Sequence, residues 1–549
     1  MSELNYINSK KNIILYLGLI LTLGLSLRFY YLPYDVPIAT DGFYSFVYAA
    51  KTVFEGNLPV GYGTTNTGWA NFLALFFSLS DTSDPFYLMQ IQRSLSVILS
   101  SLTIIPAFFI FRKFVNVRWA LFGCLLLIIE PRLLMSSLEG INYQLFFLLF
   151  VLVIALFLTK TKLTLFLSFG CIACATLVRY EGLLLLIPLS TMYFLKFKDK
   201  KSVVKFLGMI FIVIIILAPI SVLRIQATEN LCYETSFGVR CGSDGFTHNI
   251  LVGQRFLSHT LNAALGQEVS ETAIYLFNEN NEKTDNYAVL FVNKIIVSFS
   301  ALLKFIGLAL IPYFAFFVLY NIILRIKNKK SIKLDWDKKM IVFTASIMFL
   351  PALYAYMRGI EEIRYVLIII PLVCILSISW TNSISEKISK NLGVIIILMV
   401  LVLISSIIFI EFEKRDSIHD RESFLISQKI VELTNITNSF HQSGYVKTAV
   451  LSSSWPVLPE ASQNGKPIHV FQKVSTNDYD DLAEFIIDSR KYDLRYLVVD
   501  EDNELFAALR INPTVYPYLI KIFDSDEVGY KNHFMIYEID YKLVGDNDK

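Results

Sequence analysis

Charge is scarce in this chain. Asp, Glu, Lys and Arg make up 17% of its 549 residues and hydrophobic residues 54%, whereas about a quarter of a soluble domain is charged. A soluble fold of this length has no need of so many long apolar runs, so a wholly soluble protein is excluded. Ligand sets for a metal are also missing. Cys171 and Cys174 share a helix face, but no His or further Cys joins them, and His248 and His259 are isolated in one loop. A divalent metal is possible in such a chain but not indicated, and no cofactor is required. Net charge is only +2, and the Lys-rich blocks lie between apolar runs, a pattern of membrane topology and not of nucleic-acid binding.

What is present is a series of apolar runs near the length that crosses a bilayer, about 20 residues. About eleven spans are expected, at 12–29, 86–111, 119–138, 141–158, 163–179, 181–196, 203–223, 302–325, 340–356, 365–380 and 391–411. Lys10 and Lys11 precede the first run as in a signal peptide. No clear small-x-small cleavage site follows, and further spans do, so it reads as an anchor. Every second loop is basic, including Arg112 to Arg118, Lys196 to Lys201 and Arg325 to Lys339. By the positive-inside rule these face the cytoplasm, with the N-terminus. The C-terminus then lies outside, and the expected location is the cell (plasma) membrane.

Most of the polar mass falls on the outer side, in loops 30–85 and 224–301 and in the region after residue 411. In YDVPIATDGFYSFVYAAKTVFEGNLP, Asp41 precedes Gly42 and a segment whose rings suit a membrane interface. Asp41 reads either as the cap of that helix or as a carboxylate held where water meets lipid. Trp69 to Ser78 is apolar but too short to span. Glu130-Pro131-Arg132 puts two ionisable groups and a helix-interrupting proline inside an apolar run. Glu139 sits at the next outer turn. In LVRYEGLLLLIP, Arg179 and Glu181 are the only charges of a long apolar stretch. Arg179 suits a bidentate phosphate contact, or a snorkelling contact with any headgroup. A further turn gathers Arg358, Glu361, Glu362 and Arg364 beside Tyr365. Cys232 and Cys241, in an outer loop with Gly and Ser between them, read as a disulfide; closing so short a loop stabilises by about 2.7 kcal/mol before strain.

Two domains are therefore expected: a polytopic membrane domain over 1–411 and a small extracytoplasmic α/β domain over 412–549. In the second, YVKTAVLS, PIHVF, LRYLVVD, LIKIFD and HFMIYEI read as strands and DYDDLAEFIIDSRK as a helix. It carries no GxGxxG, no GxxxxGK[ST] and no serine-nucleophile motif.

ATDGFYSFVYAAKTVFEGNLP resembles the opening of the GT-C superfamily of membrane glycosyltransferases. FYLMQIQRSLSVILSSLTIIPAFFIFRKF, TLVRYEGLLLLIP and EIRYVLIIIP are similar to later segments of that class. The likeness is to transferases that use lipid-phosphate sugars, such as the dolichyl-phosphate-mannose and aminoarabinose transferases, and it covers about residues 12–411. The resemblance implies an α-helical polytopic fold and transfer of a sugar from a polyprenyl- or dolichyl-phosphate carrier to an acceptor on protein, glycan or lipid. It implies that Asp41 works at the acceptor or sugar, and that Arg179 and Arg364, with Arg358 near by, handle the carrier phosphate. From the residues themselves, apart from the resemblance, Glu181, Glu361 and Tyr365 are expected as supporting groups and Glu139 as a helper of Asp41. Many members have Asp-Glu where this chain has Asp41-Gly42. Oligosaccharyltransferases of the same superfamily carry WWDYG, whereas the five tryptophans here include no adjacent pair, so transfer of one sugar is expected. A direct displacement needs one base and inverts the anomeric centre. Other classes are a transporter or flippase of a polyprenyl-linked sugar, which needs no base, and a non-catalytic scaffold.

Overall fold

The computed structural model describes residues 10–36, 38, 40–55, 67–80, 84–228, 232–235, 238–241, 335–357, 365–384, 403–411, 448–450, 481–490, 496–499, 507–512 and 515–544, with isolated positions between them. The chain divides into two compact units. One comprises 1–32, 59–69 and 93–413, the other 33–58, 70–92 and 414–549.

The first unit is helical. α1 (Lys10–Tyr30) is followed by α2 (Thr40–Glu55), α3 (Gly68–Phe77), α4 (Pro85–Leu102) and α5 (Ile104–Phe114), of which α2 and parts of α3 and α4 belong to the other unit. Then come α6 (Val117–Ile128), α7 (Pro131–Leu138), α8 (Tyr143–Thr159), α9 (Lys162–Val178), α10 (Leu186–Lys196) and α11 (Lys200–Thr228). After a hairpin of β1 (Cys232–Thr235) and β2 (Gly238–Cys241), the described helices resume with α12 (Trp336–Met348), α13 (Leu350–Met357) and α14 (Ile370–Ile384). Short polar side chains start several of them. Asn116 accepts from the Trp119 amide at α6, Thr161 and Thr164 form a reciprocal box at α9, and Asp335 accepts from the Lys338 amide at α12.

Among the described residues, three helices are long and apolar enough to cross a membrane: Lys11–Tyr30, Phe86–Phe114 and Lys200–Leu223. A fourth is added if Val117–Ile128 and Pro131–Leu138, bent by 48°, count as one span. This corrects the expectation of eleven. Two further runs fold as helices of 17 residues, Tyr143–Thr159 and Lys162–Val178, which at 1.5 Å per residue reach roughly 26 Å, short of the roughly 30 Å hydrocarbon core. The run 181–196 is divided by a 3-10 turn over Tyr180–Leu185. Run 340–356 breaks at Phe349, and 365–380 opens on a 3-10 turn. The expected spans at 302–325 and over most of 391–411 lie outside the described residues. The chain is a polytopic α-helical membrane protein with a small β-containing C-terminal domain.

The break between α6 and α7 has a local cause. Glu130 is the N-cap of α7, its Oε2 accepting from the Leu133 amide at 2.6 Å, and Pro131 takes the first helical position. There its missing N–H costs nothing. Arg28 of α1, 1% exposed, donates to the carbonyl of Ile128 at 2.7 Å and so satisfies the end of α6. Gly24 permits this approach, since a Cβ there would collide with Ile128. Arg28, Ser100, Thr103 and Gln144 line a cavity of about 20 Å³, room for about one water.

In the second unit the C-terminal domain forms a four-stranded sheet in the order β3-β6-β8-β7. Its strands are β3 (Thr448–Val450), β6 (Tyr496–Val499), β7 (Leu519–Asp524) and β8 (Met535–Ile539), and β4 (Ser462–Gln463) and β5 (Lys466–Pro467) pair separately. β3 runs parallel to β6, the other pairings are antiparallel, and β7 carries an irregularity between Lys521 and Phe523. α15 (Leu482–Ser489), capped by Asp481, packs Leu482, Phe485 and Ile486 with Leu497, Met535 and Tyr537. Four of the five expected strands and the expected helix are present. Only the start of PIHVF is described, and it belongs to the small β4–β5 pair.

Candidate functional site

Within the first unit, two turns are tied together. The turn after α7 contains Glu139, which is exposed, and Gly140, which is buried and adopts φ +70°, a conformation that favours glycine. The indole Nε1 of Trp69 donates to the Gly140 carbonyl at 3.1 Å. The Nε of Arg93 donates to the Leu138 carbonyl at 3.1 Å. The next turn, at the end of α9, holds Arg179 in an extended conformation. That conformation, unlike a helix, lets residues two apart meet, and Arg179 Nη2 lies 2.7 Å from Glu181 Oε1. Arg179 Nη1 donates to Asn142 Oδ1 at 3.0 Å, and the guanidinium lies 4.0 Å from the centre of the Tyr143 ring. The Arg179 and Glu181 side chains are 15% and 13% exposed. Tyr365 is close enough to act electrostatically on Arg179. Gly68 seats α3 against the backbone of Leu177, where a Cβ would clash, and Gly182 does the same against Ala175 and Thr176.

Arg179 is thus already engaged. Both terminal nitrogens have protein partners, and its buried Nε makes no hydrogen bond among the described residues. A phosphate reaching this guanidinium has to displace Glu181 or share it.

Asp41 belongs to the second unit and occupies the first turn of α2. The carbonyl of the following Gly42 accepts from Nε2 of the buried Gln92 at 2.8 Å, and the carbonyl of Tyr34 from Gln90 at 2.9 Å. Asp35 pairs with Arg421 at 3.2 Å on the surface. Glu422, 7% exposed, accepts from the amides of Lys531 and Asn532 at 2.8 and 2.9 Å. Arg358, Glu361, Glu362 and Arg364 lie outside the described residues. The side chains of Cys232 and Cys241 do too, but their backbones are register partners at the open end of the β1–β2 ladder.

Sequence reasoning passed over Trp69, Arg93, Asn142 and Tyr143. Arg93 carried a usable signal, a lone cation inside the run 86–111. Trp69 carried none beyond its size. The described residues include one group that could hold a metal ion, Asp524, Asp526 and His533. It lies in the C-terminal domain, where Asp524 already bonds His533 at 3.0 Å and Lys521 at 2.8 Å.

No family model matches the chain, and no curated protein matches it in sequence. Solved structures do. An oligosaccharyltransferase of Archaeoglobus fulgidus, in complex with zinc and sulfate, superposes with a TM-score of 0.53 at 10% identity, covering 88% of this chain and 68% of that one. The Archaeoglobus oligosaccharyltransferase AglB, in complex with an inhibitory peptide and a dolichol-phosphate, gives 0.52 at 12% identity, covering 89% and 69%. The fold is GT-C-like. With ArnT from Cupriavidus metallidurans the superposition covers 96% of this chain and 98% of that one, at a TM-score of 0.42 and 11% identity. About a third of the archaeal transferase has no counterpart in this chain, whose tryptophans include no adjacent pair.

Proposed function

We propose that this protein transfers a single sugar from a polyprenyl-phosphate carrier to an acceptor hydroxyl on the outer side of the membrane. The observation that carries the reading is the outer turn itself, in a GT-C-like fold: an exposed carboxylate, Glu139, on a backbone fixed by two buried donors, three residues before the Asn142 that holds Arg179. The acceptor oxygen attacks the anomeric carbon. Its proton passes to the Asp41 carboxylate, with Glu139 as the second acid. The bond from that carbon to the phosphate oxygen breaks, and its electron pair leaves with the carrier phosphate. One displacement inverts the anomeric centre. Arg179, with Arg358 and Arg364, offsets the charge that grows on the leaving phosphate, and Glu181, Glu361 and Tyr365 hold these groups in place. The basic alternate loops support a cytoplasmic N-terminus and an outer C-terminal domain. The acceptor is a protein, glycan or lipid.

The likeness to AglB favours a second reading, in which the donor carries an oligosaccharide. The missing tryptophan pair favours one sugar. The break at Glu130-Pro131-Arg132, with ionisable groups in a bent span and Glu130 capping α7, is a feature that a transporter of the carrier lipid would also show.

The test uses purified protein with a polyprenyl-phosphate monosaccharide and a lipid-linked oligosaccharide as rival donors. Transfer from the first alone is expected. Asp41→Asn should lower turnover by roughly a hundredfold or more, the scale of a lost general base, with donor affinity unchanged. Full turnover in D41N refutes the mechanism, and transfer only from the oligosaccharide donor refutes the single-sugar assignment.

A further inference from the structure

We infer that Trp69 and Arg93 are positioning residues for Glu139, acting only through the turn that carries it. The inference rests on the role of Glu139 proposed above. Four features of the turn converge on it. Trp69 is 0% exposed and Arg93 4%, so both donors come from the packed interior while Glu139 faces solvent. Their targets bracket the carboxylate. Arg93 fixes the peptide that precedes Glu139, through the Leu138 carbonyl, and Trp69 fixes the peptide that follows Gly140. Between them Gly140 takes φ +70°, so the reversal of the chain falls immediately after the acid. Finally, the Glu139 amide is itself tied to the Ser136 carbonyl at 3.4 Å, and Gln144 reaches back to the Ser136 hydroxyl at 3.1 Å.

An ordinary surface turn has its carbonyls solvated by water and leaves its side chain to swing. Here the two carbonyls beside the acid are turned inward and held, which fixes the Cα–Cβ direction of Glu139. A carboxylate that assists proton transfer works only within hydrogen-bond reach of the reacting group, and a displacement of about 1 Å can cost a hundredfold. Neither donor belongs to the reacting set. Trp69 offers one N–H, and that N–H is used on Gly140. Gly68, the residue before Trp69, packs on Leu177, so the start of α3 is seated before the indole reaches the turn.

The experiment compares Trp69→Phe, which keeps most of the ring and removes the N–H, and Arg93→Met with Glu139→Gln, alone and combined, in the full chain. Turnover, donor binding and melting temperature are read in one detergent preparation. W69F and R93M should each lower turnover roughly tenfold while donor affinity and melting temperature stay close to the parent. W69F/E139Q should be no slower than E139Q alone, because a positioning residue has nothing left to position. Losses that multiply in the double variant overturn the inference, since the residue then acts elsewhere. Parental turnover in both W69F and R93M, with E139Q slow, overturns it while leaving the role of Glu139 intact. Parental turnover in E139Q removes that role and the inference with it. If W69F does not fold, R93M/E139Q supplies the same comparison.

Discussion

Arg179 is the residue at which stability and donor binding are most entangled, and the structure shows how to separate them. Arg179→Ala removes the ion pair to Glu181 at 2.7 Å, the hydrogen bond to Asn142 at 3.0 Å and the stacking on Tyr143 at 4.0 Å. It also leaves Glu181, 13% exposed, without its counter-charge. Breaking a buried pair from one side costs roughly 3–5 kcal/mol. The slight exposure of both partners moves the expectation to the lower end, about 3 kcal/mol. At roughly 2 °C or less per kcal/mol for a chain this large, the melting temperature should fall by about 5 °C. A loss of donor binding in R179A alone would therefore say little. Arg179→Met with Glu181→Gln removes both charges and should recover most of the lost stability. If Arg179 contacts the carrier phosphate, donor affinity in this double variant still falls tenfold to a hundredfold, the scale of one charge-assisted hydrogen bond at roughly 1.5–3 kcal/mol. Glu181→Gln alone should tighten donor binding, because it removes the competitor for Nη2. Thermal unfolding and equilibrium binding of a polyprenyl-phosphate sugar measure the two quantities. Recovered stability together with parental donor affinity in the double variant refutes the phosphate role and leaves Arg179 as a tie between two turns.

Two further outcomes are expected. Mass spectrometry of unreduced protein should find Cys232 linked to Cys241; directly opposed residues of an antiparallel ladder bring Cβ atoms near bonding range, and two free thiols in protein from the membrane would exclude the bridge. In the C-terminal domain, burial by itself raises the Asp524 pKa, but the hydrogen bonds from Lys521, the Asp526 amide and His533 more than offset it and leave it lowered. A carboxyl lowered on folding stabilises the native state above its ordinary titration range, and that contribution is lost as pH falls through the lowered folded value. Acid unfolding of the domain should therefore show less protection from pH 7 down to about 4 in Asp524→Asn, and an unchanged pH profile would show that the cluster contributes nothing.

Much of this architecture was legible from residue order. A run such as Lys11–Tyr30 has to be a helix in lipid, because only a helix or a closed barrel satisfies its backbone there. The strands of the C-terminal domain and the helix that Asp481 caps were readable for the same local reasons, whereas the β1–β2 pairing that sets Cys232 opposite Cys241 was not read from the sequence. Apolar length alone overstated the spans, since hydropathy does not register the 3-10 turn at Tyr180–Leu185 or the capped restart at Glu130-Pro131.

Composition and order by themselves determined that this chain is a membrane protein, which of its turns carry charge, and where Asp41, Glu139 and Arg179 fall along it. Tertiary structure alone decided what those groups meet. Arg179 and Glu181 pair because the backbone is extended between helices, and a helix would have turned them apart. Glu139 is held by Trp69 and Arg93, which stand 70 and 46 positions before it. Those bonds require helices remote in sequence to pack at one end, and that depends on the shapes of many side chains together, which no local pattern records.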